Sequence, residues 1–130
     1  MVAKLLRLLT LLTGLLFTLT GVQWWVMPEA VAPQFGLTLD TGLGLSSQIG
    51  DMSAFFLLLG FCAFMALVTR RGVWYTPAIV LLVLTAIGRI IAWVVHGAAF
   101  ATDQIVLELL VAVVYWLAAR NLAVDSALNE

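Results

Sequence analysis

Residues 77–99 read PAIVLLVLTAIGRIIAWVVHGAA and form an apolar run that contains a single Arg. It is long enough to span the hydrocarbon core of a bilayer, which takes about 20 consecutive apolar residues. Arg89 lies near its middle. A guanidinium stays protonated, and placing it at the centre of a membrane helix costs about 2.5–3.5 kcal/mol, so it needs a polar partner there. The stretch therefore predicts a transmembrane helix that turns a charged site toward the protein interior.

The rest of the chain has the same apolar character. Of its 130 residues, 64% are hydrophobic and only 10% are charged, more apolar surface than a soluble domain of this length can cover. Four runs are long enough to span a bilayer, at approximately residues 5–27, 49–69, 77–99 and 105–124. The sequence therefore predicts an all-α, four-transmembrane-helix bundle that forms a single integral membrane domain over residues 1–130. Small residues, Gly14, Thr18 and Gly60 among them, are expected to allow close helix packing.

The basic residues indicate how the helices are oriented in the membrane. They precede or open the first span, join the second to the third and close the fourth, as Lys4, Arg7, Arg70, Arg71 and Arg120. The connections 28–48 and 100–104 contain no Lys or Arg. By the positive-inside rule, both termini are cytoplasmic and these two connections face outward.

The longer outer segment, residues 28–48, separates the first two spans. It combines prolines and glycines with apolar side chains, and an unstructured loop of about 20 residues would be unusual. We expect one short helical turn at Pro28–Ala32. The segment is either an interfacial re-entry segment or a lid over an outward-facing pocket. Ser46 or Ser47 is predicted to N-cap the second span, and Asp103 the fourth.

Polar residues inside the spans predict one candidate site in the outer half of the bundle. Arg89 and His96 are two helical turns apart and share a face, with Trp93 between them. Asp51 is predicted in the first turn of the second span, His96 about one turn below the outer end of the third, and Glu108 one turn into the fourth. We expect Arg89 to pair with Glu108 or Asp51, and Tyr115, at the level of Arg89, to hydrogen-bond with the pair. The predicted ligand-binding set is Arg89, His96, Glu108, Asp51, Trp93 and Tyr115. The alternative is a purely structural Arg89–Glu108 pair.

Several classes of chemistry are excluded by composition. Cys62 is the only cysteine and His96 the only histidine, so the chain has no internal disulfide, bis-His haem ligation or zinc or copper cluster. We therefore predict neither a metal nor a cofactor. A net charge of −1 without any basic tract argues against nucleic acid as a partner.

Several short motifs give the chain a family resemblance. They are MPEAVAPQFGL after the first span, IGDMSAFFLLLG in the second, AIGRIIAWVVHG in the third and LELLVAV in the fourth. With these motifs the chain resembles a family of small bacterial membrane proteins, domain of unknown function 4345, and more distantly the DoxX type. The resemblance implies a place in the bacterial inner membrane and a site at Arg89, His96, Glu108 and Asp51. His96 departs from the acidic residue expected at its position. The family implies no established activity.

Three functions are compatible with the sequence. The first is an accessory or binding protein that holds a small amphipathic ligand, such as a quinone, isoprenoid or lipid headgroup, or docks to a larger membrane complex. The second is an isomerase-type enzyme acting on a lipid, with His96 and a carboxylate, Glu108 or Asp51, as catalytic acid and base. The third is a proton-coupled small transporter. The first is preferred, because the chain is small and has no exposed domain.

Overall fold

The computed structural model describes residues 1–124, and over this range the chain is all-α. Its helices are α1 (Val2–Val26), α2 (Pro28–Val31), α3 (Gly42–Thr69), α4 (Tyr75–His96) and α5 (Thr102–Leu122). Two 3-10 turns, Ala32–Phe35 and Gly72–Trp74, precede α3 and α4 respectively. Four segments are long and apolar enough to cross a membrane: α1, α3, α5, and α4 with the 3-10 turn before it. The predicted fold class, with its four transmembrane-length helices, is confirmed.

The second long helix begins earlier than the sequence predicted. It begins at Gly42 rather than near residue 49, because Leu43 and Leu45 continue the apolar pattern and no proline interrupts it. The Gln48 side chain holds this helix start, since it accepts from the Asp40 amide at 2.8 Å and donates to the Thr38 carbonyl at 2.9 Å. The predicted N-cap at Ser46 or Ser47 is therefore wrong, and both serines lie inside α3.

The third long helix ends earlier than predicted. It ends at His96, because Gly97 adopts a left-handed conformation with φ +67°, which glycine takes without steric cost. The Ala98 amide then donates to the Ala92 carbonyl at 3.1 Å, which completes the helix C-terminus. The predicted cap at Asp103 is also wrong. Ala101 is the N-cap of α5 and makes no side-chain hydrogen bond. Asp103 lies in the first turn, where its carboxylate interacts favourably with the helix dipole.

The chain divides into two compact units. The first consists of residues 1–11 and the chain from Cys62 onward, and the second of residues 12–61. In the first unit α4 and α5 pack against each other. Their buried faces contain many alanines, namely Ala78 and Ala86 on α4 and Ala112 and Ala118 on α5. Such small side chains let two membrane helices approach closely.

In the second unit, α1 and α3 meet at a glycine. A Cβ atom added to Gly60 would collide with the Thr18 hydroxyl and lie 3.1 Å from the Gly14 carbonyl oxygen. The packing role predicted for these small residues is confirmed. The predicted turn after the first span is also present, as α2 and the 3-10 turn that follows it. Phe35 of that turn packs on Trp24 and Phe56, with ring centroids 6.3 and 5.1 Å apart.

Candidate functional site

Arg89 and Glu108 form the ion pair of the first unit. Arg89 Nε donates to Glu108 Oε1 at 2.8 Å, and no second ion pair is found within residues 1–124. The side chain of Arg89 is 29% exposed and that of Glu108 is 9% exposed. The predicted pairing of Arg89 with Glu108 is confirmed by this contact.

The position of Glu108 on α5 explains its burial. Ile105, Glu108, Ala112 and Tyr115 are all buried and follow one another at intervals of three or four residues. This spacing places them on one face of the helix. Since α5 begins at Thr102, Glu108 lies nearly two turns inside the helix rather than one. Its side chain therefore lies on the buried face of α5 and is 9% exposed.

The pair leaves part of its hydrogen-bonding capacity unused. Oε2 of Glu108 is buried and has no hydrogen-bond partner in the described part of the chain. The contact with Glu108 is made through Nε, and the terminal nitrogens of the Arg89 guanidinium form no hydrogen bond to residues 1–124. An Arg–carboxylate pair often forms two parallel hydrogen bonds, which would satisfy both oxygens. Within residues 1–124, the Oε2 acceptor and the terminal guanidinium donors of this pair therefore have no protein partner.

Trp93 and His96 lie on α4 in the order that the sequence predicted, but both are exposed. Trp93 is 49% exposed and packs edge-on against Phe100, with ring centroids 4.9 Å apart. The sequence did not predict that Phe100 contacts Trp93. Its position three residues after Gly97, which ends α4, was the signal that could have indicated this contact. His96 is the last residue of α4 rather than one turn inside it. Neither Asp103 nor Glu108 forms an ion pair with its imidazole.

Tyr115 does not take the position that was predicted for it. Its side chain is fully buried, and its ring packs on Tyr75 with centroids 5.5 Å apart. The contacts Arg89–Glu108 and Tyr75–Tyr115 show that α4 and α5 run antiparallel. Seven residues along α5 therefore carry Tyr115 about 10 Å from the level of Glu108 and away from Arg89. Glu108 Oε2 accepts no hydrogen bond from it, so the predicted bond to this oxygen is not formed.

Asp51 belongs to the second compact unit. It is exposed and lies more than two turns inside α3, not in the first turn as predicted. Its convergence with Arg89 and Glu108 stays a prediction. Among residues 1–124, no group of three or more His, Cys, Asp or Glu side chains is placed to hold a metal ion.

Comparisons with known proteins give no relative for this chain: no protein-family model, no curated protein and no solved structure matches it. The resemblance to domain of unknown function 4345 and to the DoxX type stays a prediction. The class that the fold defines is a small all-α protein with four helices long and apolar enough to cross a membrane.

Proposed function

We propose that this protein is an accessory or binding protein of the bacterial inner membrane that holds a small amphipathic ligand at Arg89 and Glu108. Both termini would be cytoplasmic, which follows from the distribution of the basic residues. The ligand site would then lie in the outward-facing half of the helices. The observation that supports the proposal is the buried Glu108 Oε2 without a protein partner, next to a guanidinium with free donors.

The energetics of burial favour a ligand at this position. A buried polar group without a hydrogen bond costs about 1–3 kcal/mol, and more when the group is charged. Such a cost is usually removed by a partner, which for a buried group is protein, water or ligand. A ligand that donates a hydrogen bond to Oε2 would recover this free energy on binding. Glu108 would therefore contribute to affinity as well as to the position of Arg89.

The two unused groups define the chemistry of the ligand. Glu108 Oε2 accepts hydrogen bonds, so it calls for a hydroxyl or another donor. The Arg89 guanidinium only donates, so it calls for a carbonyl, phenolic or phosphate oxygen. A quinone or quinol headgroup, or a lipid headgroup with a hydroxyl beside an anionic oxygen, offers both. The exposed face of Trp93, one turn along α4, is suited to the apolar part of such a molecule.

The enzyme alternative has less support from the geometry. An isomerase needs one proton donor and one acceptor across its substrate, and His96 would be one of them. His96 is exposed at the end of α4 and is not hydrogen-bonded to Asp103 or Glu108. The transporter alternative would use Glu108 as the coupling carboxylate. It has no additional observation in its favour, because the buried residues beyond Glu108 on α5 are mainly apolar.

Native mass spectrometry of the protein, extracted gently from its own membrane, tests the proposal. Wild type would be compared with Glu108→Gln, which keeps the shape but removes the charge and one acceptor. Asp103→Asn is the matched control, since it changes an exposed carboxylate on the same helix. We expect a co-purifying lipid-like molecule in wild type and in Asp103→Asn, and its loss in Glu108→Gln.

The other outcomes of this experiment have definite meanings. A bare protein in all three samples would contradict ligand binding and favour a structural ion pair. If other protein chains co-purify with wild type but not with Glu108→Gln, the partner of Oε2 would belong to a larger membrane complex. The melting temperature of each variant in detergent separates loss of the ligand from loss of the fold.

A further inference from the structure

A cavity lies at the other end of the first unit from the Arg89–Glu108 pair. It has a volume of about 220 Å³ and is lined by Arg7, Ala66, Leu67, Arg70, Tyr75 and Leu122. Tyr75 precedes Arg89 by 14 residues on the same helix, and at 1.5 Å per residue this separates the two places by about 20 Å. The cavity is therefore distinct from the Arg89–Glu108 pair, and its function is independent of the one proposed above.

Among residues 1–124, the two arginines at this cavity have no counter-charge. Arg7 and Arg70 are both exposed, neither forms an ion pair within residues 1–124, and no carboxylate lines the cavity. The hydroxyl of Tyr75 is already engaged, since it donates to Thr10 Oγ1 at 3.4 Å. Two guanidinium groups around one cavity form a site for an anion with several acceptor oxygens, and arginine forks match phosphate geometry.

The backbone of Arg70 provides a second, independent observation. Its φ of 54° makes it the one non-glycine residue with a left-handed backbone among those described. Arg70 directly follows the last residue of α3, a position where helices commonly end in this conformation. The Val124 amide donates to the Arg70 carbonyl at 3.0 Å. This hydrogen bond fixes the backbone of Arg70 beside the cavity.

The walls and the size of the cavity further restrict the class of ligand that it can bind. Ala66, Leu67 and Leu122 give it an apolar side, whereas the arginines occupy the polar side. Pockets that enclose a drug-sized molecule have volumes of roughly 300–1,000 Å³, so this smaller cavity suits one headgroup phosphate rather than a complete ligand. The apolar side would contact the beginning of an acyl chain. Basic pockets at the cytoplasmic ends of membrane helices are suited to anionic lipid headgroups.

We propose that Arg7 and Arg70 bind the headgroup phosphate of an anionic phospholipid at the cytoplasmic face of the membrane. A free phosphate ion would offer the same oxygens. The apolar wall favours the lipid over the ion, because an inorganic anion gains nothing from Ala66, Leu67 and Leu122.

The test is a titration of the full chain in detergent with short-chain phosphatidylglycerol, followed by native mass spectrometry. Arg7→Gln removes a charge without disturbing the helix, and Arg70→Asn removes a charge while tolerating the left-handed backbone. Arg71→Gln is the matched control, because it removes an adjacent charge that does not line the cavity. We expect lipid binding to weaken roughly tenfold or more in the first two variants, since each loses a charge-assisted contact. The control should weaken by less than about fivefold, the effect of one general surface charge.

Further arms of the experiment separate the possible ligands. Phosphatidylcholine should bind more weakly than phosphatidylglycerol, and millimolar inorganic phosphate should not displace the lipid. Displacement by inorganic phosphate would overturn the lipid assignment in favour of a free anion. Equal weakening in all three variants would show general surface attraction and overturn the site. Arg7→Lys and Arg70→Lys keep the charge but lose the guanidinium fork, so binding between that of wild type and that of the neutral variants would show that the losses do not result from misfolding.

Discussion

The Arg89–Glu108 pair predicts an asymmetric effect when either partner is removed alone. The perturbation is replacement by leucine, first of Arg89, then of Glu108, and then of both. Leucine removes the charge but retains apolar volume and helix propensity. The three variants and wild type form a double-mutant cycle, which isolates the interaction between the two side chains.

The magnitudes follow from the exposure of each partner. Arg89→Leu leaves a carboxylate that is 9% exposed without its cation, and removing one partner of a buried pair costs about 3–5 kcal/mol. Glu108→Leu leaves a guanidinium that is 29% exposed and can extend toward the interface, so about 1–3 kcal/mol is expected. The double variant has no buried charge and should be within about 1 kcal/mol of wild type, or more stable. The coupling free energy, which is the sum of the two single losses less the loss in the double variant, should therefore be at least about 3 kcal/mol, at or above the upper end for contacting residues.

The assay is reversible unfolding in mixed micelles by increasing the fraction of denaturing detergent, followed by circular dichroism. The free energy of unfolding is compared across the four proteins under one lipid condition, because a bound ligand would add its own stabilisation. The reasoning is refuted if Arg89→Leu is as stable as wild type, or if the double variant loses the sum of the two single losses.

Three more predictions follow from individual positions. Gly60→Ala should lower the free energy of unfolding by about 1–3 kcal/mol, because its methyl group collides with Thr18. Gly88→Ala has open space around it and should be neutral or stabilising by about 0.5–1 kcal/mol. Detergent unfolding compares the two variants, and equal effects would contradict the close contact at Gly60. Gly97→Ala should cost about 1 kcal/mol in the same assay, because φ is +67° there, and Gly97→Asn should cost less. His96→Ala should leave stability and ligand retention unchanged, because the imidazole is exposed and not bonded to Asp103 or Glu108; loss of the co-purifying molecule in mass spectrometry would instead support a role for His96.

The helices could be predicted from sequence because their apolar length is a local property. Each of the four apolar runs is visible in the residues themselves. The charged Arg89 in the third run needs a polar partner, because an unpaired charge is costly in the hydrocarbon core of any bilayer. Glu108 and Asp51 were both carboxylates at a fitting depth. The sequence therefore predicted a carboxylate partner for Arg89, and the structure identifies it as Glu108.

The errors arose where local conformation or helix direction mattered. The beginning of α3 depends on the Gln48 side chain bonding to Asp40 and Thr38, which hydropathy does not report. The predicted level of Tyr115 was wrong because Glu108 was expected one turn into the helix, near the level of His96. Glu108 instead lies nearly two turns into α5 and contacts Arg89, so Tyr115 lies about 10 Å beyond that pair. The Arg7–Arg70 cavity was missed because these residues were used only to assign orientation, and their spatial proximity appears only in the folded chain.

The most direct test of the proposed function is an experimental structure of the full chain, determined in lipid nanodiscs from its own membrane. The measured quantity is the identity of the group that contacts Glu108 Oε2. The account predicts a non-protein molecule with a donor within hydrogen-bonding distance of Oε2 and an acceptor oxygen on the Arg89 guanidinium. A site in which Oε2 is satisfied by a protein side chain or by water alone would contradict it.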